Sequence, residues 1–255
     1  MDNTYSSFAK CYDTFMDNVP YDEWCDFLVD KLKSLGVDQG SLICDLGCGT
    51  GEVTKRLSEA GYDMIGVDNS SEMLEIAQEK TKEGVMYLLQ DMSEIELYGT
   101  VKAFVSVCDS INYLTDKRDL LQTFKKVANY LDEGGIFIFD VNSPFKYEEL
   151  LSDNTFAENR EEVSFIWENE YDRKSKKNYY DLTLFVKSTD GLFRKYEETH
   201  VQRAYSIEEI KEMLTKAHLE LIGVFDGYSN KKPGKESDRL LFIAREIRHE
   251  GKLYI

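Results

Sequence analysis

Three glycines at alternate positions, Gly47, Gly49 and Gly51, follow directly on a short apolar run at 41–46. The segment after them, 52–60, has the residue spacing of a helix. Glycines let a backbone turn tightly off a sheet and leave room for a ligand to approach it. The helix that follows presents free N–H groups and the positive end of its dipole. This feature therefore predicts a strand–turn–helix unit with a polar ligand at the carboxyl end of the strand.

Short apolar runs alternate with helical segments on both sides of that unit. Helices are predicted at 52–60, 71–82, 120–131 and 206–217, where Ser206 opens a capping box. Strands are predicted at 41–46, 62–67, 85–89, 103–108, 136–141, 219–225 and 240–245. Strands of five or six apolar residues between helices are typical of a parallel sheet covered on both faces. The predicted fold class is α/β, with a doubly wound, mostly parallel sheet of seven strands.

Two stretches of the chain depart from this alternation. Residues 1–40 predict an N-terminal helical lid, in which Pro20 separates two helical segments. Residues 143–205 predict an antiparallel β insertion after the fifth strand, which serves either as a roof over the substrate or as a dimer surface. Its strands are predicted at 163–168, 179–187 and 192–202. We expect 41–142 and 206–255 to form the ligand-binding domain.

The glycine spacing and the acids at the strand ends restrict the ligand. G-x-G-x-G is not the G-x-G-x-x-G of a dinucleotide fingerprint. Asp45 puts a carboxylate at the strand end, which disfavours a pyrophosphate and favours an ammonium group. Asp68, 21 residues after Gly47, can accept hydrogen bonds from ribose hydroxyls. After the third strand, Asp91 could accept from an adenine amino group and Met92 could donate its backbone N–H to a ring nitrogen.

Four segments in this order resemble the class I S-adenosylmethionine-dependent methyltransferases. They are DLGCGTG at 45–51, VDNSSEML at 67–74, QDM at 90–92 and CDSINYL at 108–114. The start of the chain, 5–24, is similar to a bacterial small-molecule methyltransferase group. The resemblance implies a Rossmann-like fold and an enzyme with S-adenosyl-L-methionine as its cofactor. It implies transfer of the methyl group to nitrogen or oxygen of a small-molecule acceptor.

The resemblance also implies a cofactor contact for each matching residue. The glycines and Asp45 would hold the methionine moiety, and Cys108 and Asp109 would close that side. For Tyr5, Tyr12 and Met73, plain core packing remains an alternative because apolar residues at helical spacing usually form a core. The full implied set is Tyr5, Tyr12, Asp45, Gly47, Gly49, Gly51, Asp68, Asn69, Met73, Asp91, Met92, Cys108 and Asp109.

Two residues are candidates for a catalytic role. His200 stands near the end of the predicted insertion, where its imidazole could take a proton from an amine substrate. A histidine on a half-exposed strand is the alternative interpretation. Tyr12 is the second candidate, because the resemblance places lid tyrosines near the sulfonium. Methyl transfer needs little acid–base help once an amine is neutral, since alignment supplies much of the rate.

Charge and missing motifs restrict the acceptor. The chain has 48 acidic and 31 basic residues, a net charge of −17, and a field of that sign repels a polyanion. Residues 109–112 read DSIN, whereas amino-methylating nucleic-acid enzymes have [DNS]-P-P-[YF]. We therefore expect a small-molecule acceptor and no nucleic-acid partner. A tRNA- or ribosome-directed methyltransferase and a non-catalytic S-adenosylmethionine-binding protein remain as alternatives.

Cysteine usage and hydropathy restrict the location. The five cysteines are odd in number and lack a C-x-x-C pair, which predicts a reducing compartment and no metal site. No apolar run approaches the roughly 18 residues that a membrane span requires, and the N-terminus lacks a signal pattern. We expect a cytoplasmic protein without a membrane partner, either a monomer or a homodimer.

Overall fold

A computed structural model describes residues 12–81, 83–188, 190–249 and 252. Its longer α-helices are α1 (Tyr21–Ser34), α2 (Glu52–Glu59), α3 (Ser71–Lys80), α4 (Lys117–Tyr130) and α5 (Ile207–Lys216). Its strands are β1 (Leu42–Leu46), β2 (Asp63–Asp68), β3 (Met86–Leu89), β4 (Val101–Ser106), β5 (Leu131–Asn142), β6 (Thr155–Asn159), β7 (Val163–Asp172), β8 (Lys177–Lys187), β9 (Phe193–Arg203), β10 (Leu219–Asp226) and β11 (Arg239–Glu246). A 3₁₀ turn (Ser110–Tyr113) and a π-helical turn (Lys146–Leu151) connect some of them.

Seven strands form the main sheet, in the order β10-β11-β5-β4-β1-β2-β3. Strands β1 to β5 run parallel to one another, and β11 pairs antiparallel with both β5 and β10. The predicted doubly wound, mostly parallel, Rossmann-like sheet is confirmed. The strand order reverses between β1 and β4, so the crevice at their carboxyl ends is the expected ligand site.

Both faces of the sheet are buried, which explains why its strands read as apolar runs. On one face, Phe104 and Phe139 pack with Phe124 of α4 in a large cluster of fully buried side chains. On the other face, Ile43 of β1 shares a second cluster with Leu32 of α1. The core therefore lies on the two sides of the sheet and leaves its carboxyl edge open to a ligand.

Among the strands whose boundaries differ from the predicted ones, β5 and β4 lie next to the candidate site. Strand β5 begins at Leu131, directly after α4, and continues through Gly134 and Gly135, which lie between the predicted helix 120–131 and the predicted strand 136–141. Strand β4 covers Val101–Ser106 and stops two residues before Cys108. The second shift matters for the site, because Cys108 and Asp109 then lie on the turn that follows β4.

A second, antiparallel sheet has the order β6-β7-β8-β9 and lies between β5 and α5 in the chain. Three of its strands were predicted and β6 was not. All but one of the β6 residues are exposed, so the strand lacks the alternation of polar and apolar residues that marks a half-buried one.

Asn112 links the two ends of the segment that carries this second sheet. Its Nδ2 donates to the carbonyl of Arg203 over 2.8 Å, and its Oδ1 accepts from the backbone N–H of Asn142 over 2.9 Å. Asn112 is fully buried. The start and the end of the segment therefore meet at one side chain of the 3₁₀ turn after β4.

The described part of the N-terminal segment contacts both sheets. Asp13 accepts a hydrogen bond from Thr50 in the glycine turn over 2.6 Å and forms an ion pair with Lys80. Phe15 packs edge-to-face on Phe165 of β7, with 4.8 Å between ring centroids. Residues 12–15 are helical, and Tyr5 lies outside the described residues. Among the helices of the described residues, none is both long and apolar enough to cross a membrane.

Candidate functional site

The glycine turn after β1 combines close packing with one open position. Gly47 has a φ of +71°, and a Cβ there would lie 2.6 Å from the Cβ of Ser110. Gly49 has a φ of +53°, and a Cβ there would meet no described atom within 4 Å. At Gly51 a Cβ would lie 2.9 Å from that of Ala77. Gly47 and Gly51 therefore allow close packing, whereas Gly49 faces space that a ligand can use.

Asp45, at the end of β1, is a buried carboxyl group with a raised pKa. It is 1 % exposed, and its Oδ2 accepts a hydrogen bond from Thr54 over 2.6 Å. Burial, and to a lesser degree the charge of Asp68, raises the pKa of Asp45 to about 7. A cationic ligand at this position would favour the ionised form. The carboxylate is therefore suited to an ammonium group.

Asp68 ends β2 and holds the glycine turn. Its Oδ2 accepts from the N–H of Gly49 over 2.8 Å, and its Oδ1 accepts from that of Ser70 over 2.9 Å. Burial raises its pKa, while these backbone donors act in the opposite direction. A carboxylate offers about four acceptor positions, so capacity remains for ligand hydroxyls. Asn69 beside it is exposed.

Three further predicted residues lie along the same edge. The half-buried side chain of Met73 belongs to neither described core cluster, so it is available to flank a ligand. Asp91 is exposed, and its Oδ1 accepts from the N–H and the hydroxyl of Ser93. The ε-methyl of Met92 would lie 3.3 Å from a Cβ on Gly47. The structure thus places Met92 beside the glycine turn, whereas the carboxylate of Asp91 accepts hydrogen bonds from Ser93 in its own turn.

The turn after β4 holds two non-glycine residues in the left-handed region. Cys108 has a φ of 57° and Asp109 a φ of 55°. Their N–H groups donate to Asp140 of β5, over 3.2 Å to Oδ2 and 2.7 Å to Oδ1. Such conformations cost energy and persist only where the surroundings fix them. Asp140, which is fully buried, fixes this turn.

Arg239 of β11 completes an ion network under this turn. Its Nη1 lies 2.9 Å from Oδ1 of Asp140, and its Nη2 lies 2.9 Å from Oδ1 of Asp109. Gln202 of β9 donates to the other oxygen of Asp109 over 2.7 Å. Burial opposes the charge of Arg239, but the two carboxylates outweigh it and raise its pKa. Asp109 therefore has protein partners at both oxygens.

Sequence reasoning missed Asp140 and Arg239. A signal for Asp140 was available, because an acid at the end of the apolar run 136–141 would be buried and would need a partner. The partner comes from a strand almost a hundred residues later. Nothing local in the sequence identifies it.

Both candidate catalytic residues lie near this turn. His200 of β9 stacks on Tyr180 of β8, with 5.2 Å between ring centroids, and its Nδ1 lies 3.5 Å from the hydroxyl of Tyr113. Tyr12 is half-buried, and burial, together with the electrostatic influence of Cys108, raises its pKa. Within the described ranges, no group of three or more His, Cys, Asp and Glu side chains is arranged to hold a metal ion.

Comparison with known proteins identifies the relatives of this chain. A family described as "Methyltransferase domain" matches residues 43–135. YqeM of Bacillus subtilis (strain 168), provisionally named a methyltransferase, is 38 % identical over 245 residues, which cover 95 % of this chain and 97 % of YqeM.

Two solved structures extend the comparison. An S-adenosylmethionine-dependent methyltransferase from Clostridium acetobutylicum ATCC 824 superposes with a TM-score of 0.86 at 32 % identity, covering 96 % of this chain and 100 % of the other. CalS10 of Micromonospora echinaspora, an amino pentose methyltransferase with bound cofactor, has a TM-score of 0.73 at 18 % identity, covering 92 % and 95 %. CalS10 shares the fold.

Proposed function

Because this chain belongs to the S-adenosylmethionine-dependent methyltransferases, we propose that it methylates a nitrogen or oxygen atom of a small-molecule acceptor. S-adenosylmethionine is its cofactor and supplies a methyl group on a positively charged sulfur. The protein must therefore hold the cofactor, align the acceptor and exclude competing nucleophiles.

The residues at the carboxyl edge fit this cofactor. Gly49 leaves open space beside the turn, and the buried carboxylate of Asp45 suits the α-ammonium group. Asp68 has acceptor capacity for the ribose hydroxyls, and Met73 lies outside the described core clusters, where it can flank the adenosine. We assign the methionine end to the glycine turn and the adenine end to Asp91 and Met92.

The observation that supports a small acceptor is that the second sheet covers the turn after β4. We call this sheet the cover. The second sheet reaches this turn through Gln202, which bonds Asp109, and through Tyr180, whose hydroxyl lies 2.6 Å from that of Tyr113. Phe15 of the N-terminal segment packs against the same sheet. A folded RNA would have to displace this cover, and it would also meet a net charge of −17.

Calorimetric titration tests the cofactor assignment. S-adenosylmethionine should bind the wild-type chain, whereas NAD should not. Asp68→Ala should weaken S-adenosylmethionine binding by about 1–3 kcal/mol, because charge-assisted hydrogen bonds to the ribose are lost. Asp63→Ala is the matched control, since Asp63 is exposed at the opposite end of the same strand. Equal losses in both variants would contradict the assignment.

An acceptor screen then tests the reaction. Release of S-adenosylhomocysteine is measured with small amines, amino sugars and hydroxyl compounds, and with tRNA and ribosomal RNA. Amino sugars are included because CalS10 is named for an amino pentose. Turnover with a small molecule supports the proposal. Turnover with RNA alone, or cofactor binding without any turnover, would overturn it in favour of an RNA-directed enzyme or a non-catalytic binding protein.

A further inference from the structure

An acid–imidazole pair lies on the face of the second sheet that covers the turn after β4. Oε2 of Glu198 is 3.2 Å from Nε2 of His200, and both residues belong to β9. His200 is paired with Tyr180 of β8 in the sheet register, so the two side chains share one face. Glu198, two residues earlier, is on the same face. The pair therefore lies on the face that contacts the turn after β4 through Tyr113.

The carboxylate of Glu198 has unused hydrogen-bonding capacity. Its side chain is only 5 % exposed. Within the part of the chain that the structure describes, its Oε1 has no hydrogen-bond partner. A buried carboxylate oxygen without a hydrogen bond lowers the stability of the fold, so its presence calls for a functional explanation. Here the charge is available to compensate a positive charge that forms beside it.

The pair also determines which ring nitrogen of His200 can accept a proton. An ionised carboxylate only accepts hydrogen bonds, so Nε2 must carry the hydrogen that faces Glu198. In the neutral ring Nδ1 then carries the lone pair. Nδ1 is the nitrogen that lies 3.5 Å from the hydroxyl of Tyr113. Glu198, His200 and Tyr113 therefore form a series of proton donors and acceptors that ends on the turn after β4.

Of these three residues, Tyr113 is the one that can contact a ligand. It ends the 3₁₀ turn after β4 and is 45 % exposed. Desolvation of its hydroxyl, together with the charges of Asp109, Glu198 and Asp68, raises the pKa of Tyr113. All three charges are negative, so a cation is favoured at this hydroxyl over a neutral group.

We propose that Glu198, His200 and Tyr113 form a proton-accepting relay for an amine acceptor. The inference rests on the proposed function and narrows its acceptor class from nitrogen or oxygen to amines. Tyr113 contacts the acceptor, His200 receives the proton, and Glu198 is a positioning residue that holds the imidazole tautomer.

Deprotonation of the acceptor precedes methyl transfer. The ammonium form of the acceptor gives one proton to the hydroxyl of Tyr113, which passes its own proton to Nδ1 of His200. The lone pair of the neutral amine then forms a bond to the methyl carbon. The carbon–sulfur bond breaks, and its electron pair stays on sulfur as a neutral thioether. The product is a methylated ammonium ion, and the imidazolium beside Glu198 releases its proton to solvent.

The first test uses nitrogen-15 NMR of the three histidines in the full chain with bound S-adenosylhomocysteine. His200 should carry its hydrogen on Nε2, and benzylamine should perturb its ring signals. Glu198→Gln should weaken benzylamine binding about tenfold, because it removes one of the negative charges that favour a cation at the hydroxyl of Tyr113. Benzyl alcohol is the neutral probe of similar shape and should bind more weakly than benzylamine.

Glu197→Gln is the matched control, because Glu197 is exposed on the opposite face of β9. It should leave the His200 signals and benzylamine binding unchanged. All variants should bind S-adenosylmethionine as the wild type does, which shows that they are folded. Equal binding of the two probes, or benzylamine binding that Glu198→Gln leaves intact, would overturn the inference.

The second test follows the pH dependence of methyl transfer to an amine from the acceptor screen. His200→Gln should lower kcat/KM at neutral pH by about 10²-fold. The loss should shrink at alkaline pH, where the amine is neutral without help. A loss that does not change with pH would show a merely structural role. A screen that yields only hydroxyl acceptors would overturn this inference and leave the proposed function standing, whereas failure of all small acceptors would overturn both.

Discussion

Replacement of Arg239 by leucine removes the guanidinium that Asp140 and Asp109 share. Asp140 is fully buried, so it loses a counter-charge 2.9 Å away without gaining water. Asp109 is 22 % exposed at its side chain, and solvent reduces its share of the loss. Breaking a buried ion pair on one side costs about 3–5 kcal/mol. Most of that cost should come from Asp140.

Thermal and urea unfolding of the cofactor-free chain measure this loss. For a chain of this size 1 kcal/mol lowers Tm by about 2–4 °C, so Arg239→Leu should lower it by roughly 6–20 °C. Arg248→Leu is the control, because its ion pair with Glu133 is 3.4 Å long and the arginine is 72 % exposed. That variant should lose no more than about 1 kcal/mol.

A second substitution separates the charge from the packing of the arginine. Asp140→Asn added to Arg239→Leu removes the buried carboxylate that has lost its cation, so the double variant should recover part of the lost stability. A loss below about 1 kcal/mol, or a double variant no more stable than the single one, would refute this account of the network.

Two further predictions concern the cofactor side. Because the pKa of Asp45 is raised from 3.8 to about 7, calorimetry should find S-adenosylmethionine binding roughly fivefold tighter at pH 7 than at pH 6, a range in which the α-ammonium group of the cofactor stays mostly charged. Asp45→Asn should remove this dependence, and a dependence that persists would contradict it. The same shift means that the stability of the cofactor-free chain falls as the pH rises from 4 to 7, since the buried carboxyl favours its neutral form. Gly49→Ala and Gly40→Ala both place a Cβ in open space at positive φ, so each should cost about 1–2 kcal/mol of unfolding free energy. Only Gly49→Ala should also weaken S-adenosylmethionine binding, and equal affinity in the two variants would exclude a ligand beside Gly49.

The sheet could be predicted from the sequence because its strands are buried on both faces. A run such as 136–141 needs no tertiary information to be recognised as a strand of a parallel sheet. The glycine turn and Asp68 were also predictable, since each follows directly on such a run. Strand β6 was not, because its exposed residues carry no pattern.

The acceptor side of the site depends on contacts that sequence spacing does not encode. His200 was a candidate by residue type, but its meeting with Tyr113 depends on the register of β9 against β8 and on the place of that sheet over β4. The left-handed turn at Cys108 and Asp109 likewise depends on Asp140 from another strand. Long-range pairing of this kind appears only in the folded chain.

Asn112 makes the cover over the acceptor region a separable module. The segment that carries the second sheet leaves the main sheet at Asn142 and ends with β9 at Arg203, and one buried side chain bonds both points. A different segment grafted between those two points would meet the same anchor and the same sheet edge. If the proposed function holds, hybrid enzymes cut at this junction should change their acceptor, and those that keep Gln202 should retain its bond to Asp109 on the cofactor side.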